Sequence, residues 1–141
     1  MNLTVVDIDA LVPHRRPLRL IDEILEVDED SAVSAAVITR QWPMLENDAA
    51  NPIVLIELVA QTAAAMGGLK EKKKDKGAPA NKGLLVGIKS ANFFIDRIPL
   101  CSRIITRSTT RLLMENFKEI TGVIKIDDVV IAEISLQSIS L

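Results

Sequence analysis

The chain has 141 residues, 48% hydrophobic and 26% charged, with a net charge of −2. This is one domain's length with room for a real core, and it lacks the basic excess of a general nucleic-acid binder. One cysteine, Cys101, excludes an internal disulfide, and the start has no charged-then-apolar secretory layout, so a cytoplasmic protein is expected.

The opening "TVVDIDALVPHRRP" is a short amphipathic piece broken at Pro13 and Pro17. "LRLIDEILEV" and "SAVSAAVIT" flank an acidic turn and predict a β-hairpin. Residues 40–52, "RQWPMLENDAANP", carry two prolines and a cluster of turn formers, which predicts a loop. Asn51 and Pro52 then fit the cap and first residue of a helix running from about Ile53 to Met66 or Leu69 and closing at the following "GG". The lysine-rich "KEKKKDKGAPANKG", residues 70–83, predicts a surface loop. Four strand patterns follow from Leu84, separated by short polar breaks such as "MEN" and "IDDV", and predict an antiparallel meander. Arg103, Arg107 and Arg111 share one parity and hence one wet face.

The helix "NPIVLIELVAQTAAAMGG" is apolar nearly all round, so it requires enclosure, and a sheet curled around it is the expected α+β architecture for a single domain over 1–141. It is too short and too interrupted to span a bilayer. With no Cys/His cluster, no Gly-rich phosphate loop and no repeat, neither a metal nor a cofactor is expected.

Glu57 and Gln61 are the polar interruptions of that helix and stack on one face, with Ala64 and Gly68 continuing the stripe and leaving room beside it. A carboxyl group so set is a candidate for acid–base work, or else holds a loop's N–H groups. His14, the single histidine, is a candidate base or a hydrogen-bonding anchor at the entry to the first strand. Gln61 fits a supporting role. Lys72, Lys73 and Lys74 form a solvated surface or dock an acidic carrier protein. Trp42, Phe93 and Phe94 are read as core or as the lining of a substrate tunnel.

Three segments resemble the hotdog-fold 3-hydroxyacyl-(acyl carrier protein) dehydratases: "LVPHRRPLRLIDEILEVD", "VLIELVAQTAA" and "GIKSANFFIDRIPLCSRI", in the family's order. The resemblance implies the hotdog fold, an antiparallel sheet wrapped around one long helix. It also implies pairing with a second copy, acyl-thioester sites at the subunit interface, and catalysis by Glu57 with Gln61 beside it. Two positions depart from the family. The place of its G-H-F-P-G histidine falls at about Pro43, and the glycine whose N–H polarises the thioester carbonyl is replaced by Pro52, which has none. The chain is similar to a divergent branch in which His14 is the available imidazole.

The expected function is dehydration of a 3-hydroxyacyl thioester in fatty-acid-like or polyketide-like lipid synthesis, with the acyl group on acyl carrier protein or coenzyme A. The alternatives are acyl-thioester hydrolysis and a non-catalytic acyl-binding or partner subunit of a heteromeric dehydratase. The expected assembly is a homodimer or higher homo-oligomer, or a heterodimer with a related hotdog chain, with no nucleic-acid or membrane partner.

Overall fold

The computed structural model of the protein describes residues 8–11, 18–74 and 83–140. His14, and the side chains of Lys72, Lys73 and Lys74, lie outside the described residues.

The alternation of apolar and polar residues sets the main sheet. Strands β1 (Glu23–Val27) and β2 (Ser31–Val37) form the expected hairpin, antiparallel with a bulge between Ile24 and Glu26. β2 then pairs with β7 (Arg103–Met114), which continues through β8 (Phe117–Ile126) to β9 (Val129–Ser140). The β8–β9 turn uses Asp127 and Asp128, both at positive φ (51° and 63°), as a two-residue hairpin turn matched to strand twist requires. Along β7 the period of two separates buried Ile104, Thr106 and Ser108 from the outward Arg103, Arg107 and Arg111, which reach Glu23, Glu26 and Glu119 at 3.3, 3.0 and 3.4 Å.

Two expectations need correction. The meander is confined to β7, β8 and β9, because β5 (Gly83–Phe93) pairs with β9 and ends a sheet ordered β1-β2-β7-β8-β9-β5. The segment read as loop also contains β3 (Leu45–Glu46) and β4 (Ala49–Ala50), which join β6 (Ile98–Pro99) in a small second sheet. Strands of two residues are too short to leave a periodic trace in a sequence.

The long helix, α2, spans Val54–Lys74 and outruns the expected end. Its start follows the sequence: Asn51 Oδ1 accepts from the Ile53 N–H at 3.0 Å and the Asn51 carbonyl from the Val54 N–H at 3.1 Å. Its two glycines do not cap it. Gly68 is interior to the helix and lies against a short helix, α1 (Ile8–Leu11), where a Cβ would stand 2.5 Å from the Leu11 carbonyl oxygen. Gly68 therefore serves close approach, and the first lysines of the polar run extend the helix.

The sheet curls around α2, and one contact fixes how closely. Gly122 of β8 and Ser108 of β7 are cross-strand partners. The Val59 side chain lies over Gly122, where a Cβ would collide with it, and the Ser108 hydroxyl donates to the Val59 carbonyl at 2.8 Å. Thr62 adds a second tie. Its hydroxyl donates to the Leu58 carbonyl at 2.8 Å, so at the 2.7 Å contact with Ser34 of β2 it is Ser34 that donates. Leu55, Leu58, Val59 and Ala65 of the helix complete a core with Leu20, Ile21, Ile104, Ile124 and Leu136. No helix among the described residues is long and apolar enough to cross a membrane.

Candidate active site

An α-helix turns about 100° per residue. From Glu57, therefore, Ala64, Ile53, Ala60 and Gly67 fall within about 80° on one side, and Gly68 and Gln61 about 20–40° on the other. The two sides differ. Ile53 is exposed and Glu57, Ala60, Ala64 and Gly67 are half-buried, whereas Gln61 and Gly68 are fully covered. The cover comes from the N-terminal part of the chain, Leu11 against Gly68 and Leu18 to Leu20 against Gln61. Glu57 thus sits at the seam where the covered side gives way to the open one.

Gln61 has 0% exposure and a complete set of partners. Its Oε1 accepts from the Leu20 N–H at 2.8 Å. Its Nε2 donates to the Leu18 carbonyl at 2.7 Å and to Glu57 Oε1 at 3.2 Å. Leu20 N–H can only donate and Leu18 C=O can only accept, which settles the amide's orientation and turns an N–H toward the carboxyl group. A carboxamide suits this position because it alone joins an acceptor and two donors on one planar group.

The stripe expected from the sequence is divided by the fold. Ala64 keeps its small side chain on the open side, but the space at Gly68 is filled by the Leu11 backbone and is not available to a ligand. Pro52 is buried at the helix start. The first N–H groups after it are all engaged within the chain: Ile53 and Val54 with Asn51, Leu55 with the Pro52 carbonyl at 2.9 Å, and Ile56 with the Ile53 carbonyl at 3.2 Å. The usual glycine donor is absent by sequence, and the neighbouring N–H groups do not stand in for it.

Trp42 is in the core at 4% exposure, with its indole Nε1 lacking a hydrogen-bond partner. Phe93 and Phe94 are not core residues, and that part of the expectation is corrected: they are 37% and 62% exposed, at and just beyond the end of β5. Their strand is the last of the sheet order, paired with β9 on one side and with no strand of the described residues along its other edge.

Residues 6–140 match the model of the ApeP-like family, described as ApeP dehydratase. The chain is 35% identical over 103 residues to the 3-hydroxyacyl-[acyl-carrier-protein] dehydratase FabZ of Acetivibrio thermocellus, a match covering 69% of this chain and 67% of that protein. It is 30% identical over 143 aligned positions to the FabZ of Solibacter usitatus, covering 93% and 81%. Among solved structures, a chain of the dehydratase heterocomplex ApeI:P from Xenorhabdus doucetiae superposes with a TM-score of 0.85 at 20% identity, covering 97% of this chain and 92% of that one. The sheet-wrapped helix is therefore the hotdog fold.

Proposed function

Because the chain belongs to the ApeP-like dehydratase family, we propose that it converts a 3-hydroxyacyl thioester, carried on acyl carrier protein, into the 2-enoyl thioester and water. The observation that carries this reading is the Glu57 carboxyl, half-buried at the open side of α2 and held by the Gln61 amide at 3.2 Å. In the reaction the C2–H bond breaks, its electron pair forms the C2–C3 double bond, and the C3–O bond breaks as the hydroxyl leaves. Glu57 gives the proton that turns the leaving hydroxyl into water, and His14 takes the C2 proton. A proton then passes from His14 back to Glu57 through solvent to reset the pair.

His14 enters this reading by chain connectivity. It lies four residues before Leu18, which Gln61 binds one helical turn from Glu57. Four residues span at most about 14 Å, which makes His14 the imidazole assigned to the base role in this reading. The lysine-rich run that begins at the end of α2, with Lys72, Lys73 and Lys74, supplies the positive charge that an acidic carrier protein would meet. An exposed thiol at Cys101 is consistent with a reducing, cytoplasmic setting.

The protein works as an assembly in this reading. β5 is eleven residues long, ends the sheet order, and exposes Leu85, Val86, Ile88 and Phe93, with Phe94 beyond it. An apolar edge of this length calls for cover, and a second hotdog chain laid along it would enclose Phe93 and Phe94 as lining. The engaged N–H groups after Pro52 favour a related chain as that partner, one bringing the carbonyl donor missing here. The resemblance to a chain of a dehydratase heterocomplex supports the same assembly.

Incubation of the purified chain with a 3-hydroxyacyl carrier-protein thioester, following enoyl product and free thiol together, tests the reaction. Enoyl formation without thiol release is expected, and thiol release alone would replace dehydration by hydrolysis. His14→Ala is expected to lower turnover by about 100-fold, and unchanged turnover would remove it from the mechanism. Addition of a related hotdog chain is expected to raise the rate, and full activity of this chain alone would end the heteromeric reading.

A further inference from the structure

Resting on the dehydratase reading, we infer that Met44 determines which acyl chains the site accepts: its exposed side chain, together with Ile53, forms an apolar wall for the acyl tail at the end of the open side where α2 begins. The backbone is the first observation. Met44 has φ 64°, a left-handed conformation that disfavours a long side chain and suits glycine or asparagine. Asn47, Asp127 and Asp128 hold positive φ with residue types that tolerate it, and Cys101 and Glu115 close the turns that enter and leave β7. Methionine at 44 is held in this conformation from both sides. Trp42, two residues before, is buried and its N–H donates to the Thr39 carbonyl at 3.1 Å, while the Met44 carbonyl accepts from the Asn51 N–H at 2.9 Å. Strain kept in place in this way clusters at ligand sites.

Placement is the second observation. Asn51, bonded to Met44, caps α2, and Glu57 lies six residues further on, about 9 Å along the axis. Ile53 stands between them, exposed on the same side as Glu57. Met44 is itself 51% exposed, so two large apolar side chains are uncovered at this end of the site.

The third observation is chemical. The N–H groups of Ile53, Val54, Leu55 and Ile56 are engaged within the chain, so this end offers no donor to a thioester carbonyl or to the amide groups of a carrier arm. What it presents is apolar. The hydrocarbon tail is the part of the substrate that fits such a surface, and methionine, unbranched and polarizable, adapts to a flexible chain.

Carbon-13 labelling of the methionine methyl groups tests the wall in the full-length chain. The probes are butanoyl and decanoyl thioesters of N-acetylcysteamine, which lack the 3-hydroxyl group and so cannot be dehydrated. The Met44 methyl signal is expected to shift with the decanoyl probe and not with the butanoyl one, while Met114, exposed at the β7–β8 turn, stays unmoved. Met44→Gly should melt at or above the temperature of the unsubstituted chain, because glycine suits the backbone. It should bind the decanoyl probe about 10-fold more weakly, with butanoyl binding changed by less than about twofold, and Met44→Leu should hold both within about threefold. A Met44 signal indifferent to the decanoyl probe would overturn the inference, as would equal losses for the two chain lengths in Met44→Gly. A lower melting temperature in Met44→Gly would show the side chain packed within its own chain and would overturn it too. A signal that moves on addition of a related hotdog chain but not with the decanoyl probe would assign the surface to a subunit contact instead. A responsive Met44 beside no enoyl product from a 3-hydroxydecanoyl thioester would overturn the reaction and leave the acyl wall standing.

Discussion

The two sides of α2 are built to different tolerances. On the inner side Val59 meets Gly122 with no room for a methyl group, Leu58 is fully buried, and Ser108 and Ser34 tie the helix to β7 and β2. On the outer side Ile53, Ala60 and Ala64 are short of cover and the one carboxylate of the apolar segment stands among them. The difference teaches that a helix can be pinned rigidly by one side so that the other can stay incompletely filled. A reactive group benefits from that arrangement, since small errors in its position cost rate.

The largest effect should come from the pinned side. Leu58→Ala is expected to lower unfolding free energy by about 2–5 kcal/mol, read by urea denaturation, and a loss under about 1 kcal/mol would mean that the inner side is not close-packed. Glu57→Gln is expected to leave stability within about 0.5 kcal/mol while slowing turnover by about 100-fold, equivalent to about 2.7 kcal/mol of barrier. A stability loss matching the activity loss would make Glu57 a structural group instead. Gly122→Ala should cost about 1–3 kcal/mol by overpacking against Val59, and Val59→Ala in the same chain should return part of it. Failure of that rescue would separate the two residues. Smallest is Ala60→Ser on the open side, expected to cost only the helix-propensity difference of about 0.5 kcal/mol, measured in the same denaturation series.

Much of this comparison was legible in the sequence, for reasons that particular residues make clear. The inward and outward sets of β7 follow from strict alternation, and the Asp127–Asp128 turn from a two-residue polar break. Glu57 and Gln61 announced themselves as polar groups four residues apart in an apolar run. What escaped depends on contacts between distant segments. The glycines read as a helix end because a backbone packing against Gly68 leaves no mark near it in sequence. Phe93 and Phe94 read as interior because aromatic residues usually pack, and only the pairing of β5 with β9 puts their strand at the edge. The grip of Gln61 on residues 41 and 43 positions away in the chain was likewise beyond any local pattern. A glutamine four residues after a carboxylate on an otherwise apolar helix was the signal available.

The central claim is that the Glu57 carboxyl, and nothing else in its place, delivers the proton that lets the 3-hydroxyl leave. Single-turnover conversion of a 3-hydroxyacyl carrier-protein thioester to the enoyl product, compared between the unsubstituted protein and Glu57→Gln at equal folded concentration, tests it most directly. The account predicts rapid enoyl formation in the first and a rate about 100-fold lower in the second. Equal rates in the two would contradict it.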